Sequence, residues 1–157
     1  MAAGPAAPAV KLIKSWLNYS ESNGKAQAYI MKPYNKLTGR SLNVKTTPWC
    51  QITIVSCLYQ SKCVKTYSKT AGCTQQLNWY RSHKRFKKRG VKPAVGWQVM
   101  YNFKDNSTSK STHTGLIVAK SGSYITVIEG NKANKVGARK IKYNSKYIVG
   151  FGLPYYK

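Results

Sequence analysis

Thr112-His113-Thr114-Gly115-Leu116-Ile117-Val118-Ala119-Lys120-Ser121-Gly122-Ser123-Tyr124-Ile125-Thr126-Val127-Ile128-Glu129-Gly130-Asn131 holds two apolar runs around a Ser-Gly-Ser turn. That is the pattern of a β-hairpin. A three-residue loop at the turn would set His113 on the same face as Glu129 and Asn131, because side chains alternate along each strand. Further strands are predicted over Gln98–Phe103 before the hairpin, and over Val136–Tyr143 and Tyr147–Phe151 after it. The first half of the chain has another texture. Val10, Ile13 and Leu17, with Leu12 and Trp16 beside them, repeat at helical spacing, and Ser20-Glu21-Ser22-Asn23-Gly24 forms a stop. Residues 25–46, interrupted by Pro33 and Gly39, predict a short helical piece followed by a loop. The next helix is expected to take Thr47 as N-cap and Pro48 as first residue, with Cys50 near its third position. Another runs from Thr74 to about Arg81. Helices first and antiparallel strands later define an α+β domain, its N-terminal helices packed on a five- to six-stranded antiparallel sheet.

With 157 residues, 42% of them hydrophobic, the chain is long enough for one well-filled core. We read residues 9–157 as a single domain behind a flexible leader, residues 1–8. The leader lacks the basic and long apolar regions of a signal peptide. No run approaches the roughly 18 apolar residues of a membrane helix. The four cysteines, Cys50, Cys57, Cys63 and Cys73, contain no C-x-x-C pair, so neither structural zinc nor a disulfide scaffold is indicated. A Cys63–Cys73 disulfide stays open.

Cys50 near a helix start is placed among unpaired amides at the positive end of the dipole, which lowers a thiol's pKa. A thiolate attacks acyl carbons, and the same amides can hold the resulting oxyanion. His113 supplies a base. Glu129 or Asn131, brought to its side by the hairpin, supplies the group that orients it. Glu21, Asp105 and Glu129 are the only acids in the chain, and one of them falls where a histidine-orienting carboxylate is needed. His83 lies in the basic run Arg81–Arg89 and reads as a surface residue.

Lys and Arg number 27 against three acids, a formal charge of +24. Such a field attracts polyanions: nucleic acid, anionic lipid or acidic wall polymers. A compositional habit of the source, or charge engineering, would leave the same shortage of acids. Two readings without catalysis compete with the thiol site. One is a nucleic-acid-binding protein whose 12 Tyr and four Trp stack on bases while the Arg81–Arg89 run meets phosphates. The other is a membrane-active cationic antibacterial protein. Neither uses Cys50 and His113.

Pro48-Trp49-Cys50 leading a helix, Thr112-His113-Thr114-Gly115 opening a strand, Ile128-Glu129-Gly130-Asn131 and the terminal Gly150-Phe151 with Pro154-Tyr155 together resemble a CHAP domain. This is the cysteine- and histidine-dependent amidohydrolase/peptidase family of the papain-like (NlpC/P60-type) superfamily, and the resemblance spans roughly residues 9–157. It implies a papain-like fold with Cys50 as nucleophile, His113 as base, Glu129 orienting the histidine and Asn131 as a further polar residue. Trp49 and Thr112, beside the nucleophile and base, would contact substrate. The implied reaction cuts an amide of peptidoglycan through an acyl-enzyme, as in phage endolysins and bacterial autolysins. It implies no cofactor. Some relatives bind calcium through an acidic N-terminal loop, but Glu21 is alone there, so no metal site is expected. Partners would be peptidoglycan and anionic wall polymers, reached outside the cell by a monomer released by another route than a signal peptide, with no specific nucleic acid and no membrane span. Gln51 and Trp97 stand where the family commonly has acids.

Overall fold

The alternating stretches from Gln98 onward form one antiparallel sheet, and the helical periodicities before them form helices. The computed structural model describes residues 4–157. Its helices are α1 (Ala7–Ser15), α2 (Lys32–Thr38), α3 (Cys50–Ser61) and α4 (Cys73–Ser82). The strands are β1 (Phe86–Lys88), β2 (Gln98–Tyr101), β3 (His113–Ser121), β4 (Tyr124–Lys132), β5 (Lys135–Lys142) and β6 (Ile148–Gly152). They pair in the order β1-β6-β2-β3-β4-β5. The fold is α+β.

The sheet divides the core. One face carries Leu116, Val118, Ile128 and Val136 against Ile13 of α1 and Ile52 and Val55 of α3. The other gathers Val99, Tyr101, Ile117, Val127, Ile148 and Phe151. Each fully buried aliphatic side chain contributes about 1.5–3 kcal/mol. Helix α3 is buried from Cys50 to Leu58 without a break. That explains why Ile52-Thr53-Ile54-Val55, a run with strand propensity, is helical: apolar contacts on every side outweigh local preference. It approaches the sheet closely at Gly130, where a Cβ would fall on the Thr53 side chain.

Two expectations are corrected, and one strand was not foreseen. Within the 1–8 leader, Gly4–Ala6 forms a 3₁₀ turn, α1 already starts at Ala7, and Ala6 is 2% exposed in the core. Residues 1–3 lie outside the described part. The basic run Arg81–Arg89 contains an edge strand, β1, because Phe86 packs against the buried Gly150 of β6. The helix carrying Cys50 begins at Cys50 itself, with Trp49 rather than Thr47 as N-cap. Before α2 the chain widens into a π-helical stretch, Gln27–Met31. Pro33 cannot donate to the Tyr29 carbonyl, and the Gln60 side-chain amide donates there instead, at 2.9 Å.

Candidate active site

His113 and Glu129 meet because of a bulge. The turn at Gly122-Ser123 has two residues, not three, with Ser121 opposite Tyr124, Lys120 opposite Ile125 and Ala119 opposite Thr126. Continued unchanged, that register would turn His113 and Glu129 to opposite faces. Val118 is an extra residue, and beyond it Ile117 pairs with Val127 and Leu116 with Ile128. The one-residue shift restores the shared face. His113 Nε2 then lies 3.0 Å from Glu129 Oε1.

Glu129 is fully buried and bonded on both oxygens. Arg139, from β5, donates from Nε to Oε2 at 2.8 Å and from Nη2 to Oε1 at 3.0 Å. The guanidinium also lies 4.8 Å over the Phe103 ring. Burial raises the carboxyl's pKa, but the bonds from His113 and Arg139 outweigh it and hold Glu129 below its usual range. The carboxylate therefore stays charged and fixes the imidazole.

Cys50 lies close enough to the imidazole for each to shift the other's pKa. As the first residue of α3, it has no side-chain cap competing for the first-turn amides. The Cys50 thiol is pulled down to about 5, chiefly by a hydrogen bond from Cys73, against the opposing effect of burial and with help from His113 and the Gln51 amide. For His113, burial works downward, yet the Cys50 thiolate and Glu129 carboxylate raise it to about 9. With Nε2 held by Glu129, Nδ1 is the nitrogen left for the thiol. Between those values the pair is thiolate and imidazolium, the reactive form of a cysteine hydrolase. A bell-shaped dependence of kcat/KM on pH is expected. Its acid limb lies near 5, where Cys50 loses its proton, and its alkaline limb near 9, where His113 loses its own. Initial rates of substrate cleavage across that range check it; a single rising limb near the usual thiol value would contradict the ion pair.

The other expected residues fare differently. Asn131 sits on a second bulge with a left-handed backbone, φ 56°, and lines a shallow cavity with Pro48, Thr47 and Glu21 rather than the imidazole. Trp49 is fully buried, and its indole N–H donates to Glu21 at 2.9 Å. Thr112 is exposed, and its hydroxyl accepts from the Phe103 amide at 3.1 Å. His83 stacks on Trp79 with ring centres 4.1 Å apart, outside the site. Gln51 joins an uncharged buried network, accepting from Gln98 at 2.8 Å while Gln98 also donates to Thr114. Among the described residues no cluster of three or more His, Cys, Asp or Glu could hold a metal.

Searches against protein families, characterised proteins and solved structures found no match.

Two site residues escaped the sequence reading. Arg139 is one of 27 basic residues, and nothing local marks it. Cys73 lies with its sulfur 3.5 Å from that of Cys50, whereas Cys63, its suggested disulfide partner, is bonded instead to Ser61 at 3.2 Å. All four cysteines are free thiols. No described helix is long and apolar enough to cross a membrane.

Proposed function

We propose that the protein is a thiol hydrolase that cleaves an amide bond of peptidoglycan, either as an N-acetylmuramoyl-L-alanine amidase or as an endopeptidase. The observation that carries the reading is the pair of His113 and the buried Glu129, 3.0 Å apart, beside a Cys50 at a helix start whose thiol and the imidazole each shift the other's pKa. In this mechanism Cys50 Sγ attacks the amide carbon, and the first-turn amides of α3 receive the oxyanion. His113 then protonates the leaving amine. With the proton gone, the imidazole takes one from a water, which attacks the thioester and releases Cys50. Peptidoglycan as the substrate rests on the resemblance to CHAP domains.

The positive charge serves approach. Each acid has a fixed donor: Glu21 holds Trp49, Asp105 holds Asn102 at 2.8 Å, and Glu129 holds His113 and Arg139. The acids that remain are those with a structural or catalytic partner, and the rest of the surface is free to be cationic. Attraction to anionic wall polymers would then stand in for a wall-binding module. The nucleic-acid reading loses force in the Arg81–Arg89 run. Arg81, Arg85 and Arg89 donate to the carbonyls of Thr108, Leu153 and Lys146, which leaves chiefly Lys84, Lys87 and Lys88 for phosphates.

Mass spectrometry of soluble fragments from purified Gram-positive walls tests the reaction. Free peptides with new N-terminal Ala are expected from an amidase, and cuts within stem or cross-bridge from an endopeptidase. Walls that release only intact glycan-linked peptides would overturn the proposal.

A further inference from the structure

Two helix starts converge on one point of the molecule. Cys50 is the first residue of α3 and Cys73 the first residue of α4, and their sulfurs are 3.5 Å apart. A disulfide needs the sulfurs to close to about 2.05 Å, a movement within reach of side-chain rotation from that separation. Cys73 is also partly exposed, and Cys50 is 8% exposed, so a small oxidant can reach the pair. The hydrolytic cycle assigns no covalent role to Cys73. Cys57 offers no rival reaction centre: it is fully buried, bonded to the Ala9 carbonyl, and burial pushes its thiol far up.

We propose that Cys73 is the resolving thiol of Cys50, so that oxidation of the nucleophile ends in a reversible Cys50–Cys73 disulfide. With a peroxide as oxidant, the Cys50 thiolate attacks one peroxide oxygen, breaks the O–O bond and becomes a sulfenic acid, while the other oxygen leaves as water after taking up a proton. The Cys73 sulfur then attacks the Cys50 sulfur, the S–O bond breaks, and the oxygen departs as a second water carrying the Cys73 proton. Two thiols and one peroxide give one disulfide and two waters. The neighbouring Cys50 anion disfavours ionisation of Cys73 before oxidation, and that obstacle vanishes once Cys50 is a neutral sulfenic acid. The disulfide shields Cys50 from irreversible sulfinic and sulfonic oxidation and silences it until a thiol reductant restores it. The inference rests on the thiolate character of Cys50 and not on peptidoglycan being the substrate.

The test uses the full chain treated with hydrogen peroxide, quenched by alkylation and mapped by peptide mass spectrometry without reduction. A Cys50–Cys73 linked peptide and an intact mass lower by two hydrogens are expected. Dithiothreitol should then return both thiols to alkylation. In Cys73→Ser, the Cys50 peptide should instead carry sulfinic and sulfonic acid that dithiothreitol does not reverse. Wild-type protein in which Cys50 is hyperoxidised while Cys73 stays alkylatable would overturn the proposal without recourse to any variant, as would a disulfide joining Cys57 to Cys63 in its place. A linked Cys50–Cys73 peptide in a protein that releases no wall fragments would uphold this inference and refute the hydrolase reading alone.

Discussion

Cys50→Ala is expected to abolish the clearing of Gram-positive cell-wall suspensions, with a fall in initial rate of roughly 10³-fold or more. The substitution removes the atom that would form the acyl-enzyme in the proposed mechanism and leaves only binding and the first-turn amides of α3. The cationic surface is untouched, since the chain keeps its 27 Lys and Arg. The comparison therefore separates chemistry from cationic disruption. Removing one sulfur from a site 8% exposed leaves a small void, and a thermal melt close to wild type is expected to show that the fold survives. Equal clearing by the two proteins would refute the thiol mechanism and favour charge alone. Iodoacetamide supplies an independent reading. Alkylation of wild-type protein near neutral pH should fall first on Cys50, whose pKa of about 5 makes it the thiolate, and not on the buried Cys57.

Glu129→Gln is expected to lower kcat/KM by roughly 10²- to 10⁴-fold while leaving Cys50 in place. The amide has nearly the same shape but no charge, so the imidazolium loses its stabilising partner. The alkaline limb of the pH profile should move down from about 9. Stability should fall as well, by about 2–4 kcal/mol, because Arg139 would keep a charge in a partly buried position without its carboxylate. Arg139 is 29% exposed, which places the cost toward the lower end.

The signs of the pH dependence follow from the two partners. Glu129 is depressed in the folded state, so its contribution is present above its unfolded value, about 4.3, and fades as pH falls through the folded one. His113 is raised, so its contribution is whole below its unfolded value, about 6.5, and is lost as pH rises through about 9. In Glu129→Gln the acid-side loss should shrink, and the alkaline-side loss should become smaller and be complete at a lower pH. Thermal melts across pH measure both. A variant with wild-type kcat/KM would show that Glu129 is not the group that orients His113.

Much of this site was legible because strand periodicity is local. Placing His113 and Glu129 on one face needs only the alternation of side chains and a guess at the turn. The guess reached the right face by the wrong device, a three-residue loop in place of a two-residue turn and a bulge at Val118. The two devices shift register by the same one residue, and no composition rule distinguishes them. The burial of Trp49 was not legible for a related reason. Adjacent to Cys50 in the chain, it points into the core because the residue before the helix turns away from the face that the first helical residue presents.

Periodicity and turn chemistry in the sequence alone determined the order of helices and strands, the α+β class, and the candidacy of Cys50, His113 and Glu129. These depend on spacings of a few residues, which survive whatever the rest of the chain does. Tertiary structure alone decided that α3 starts at Cys50, that Arg139 completes the carboxylate's partners, and that Cys73 faces Cys50 across 23 residues of chain. Those outcomes depend on how α3, α4 and β5 are docked. Docking is set by burial of apolar surface, which is non-directional and summed over the whole core, so no short stretch of sequence encodes it.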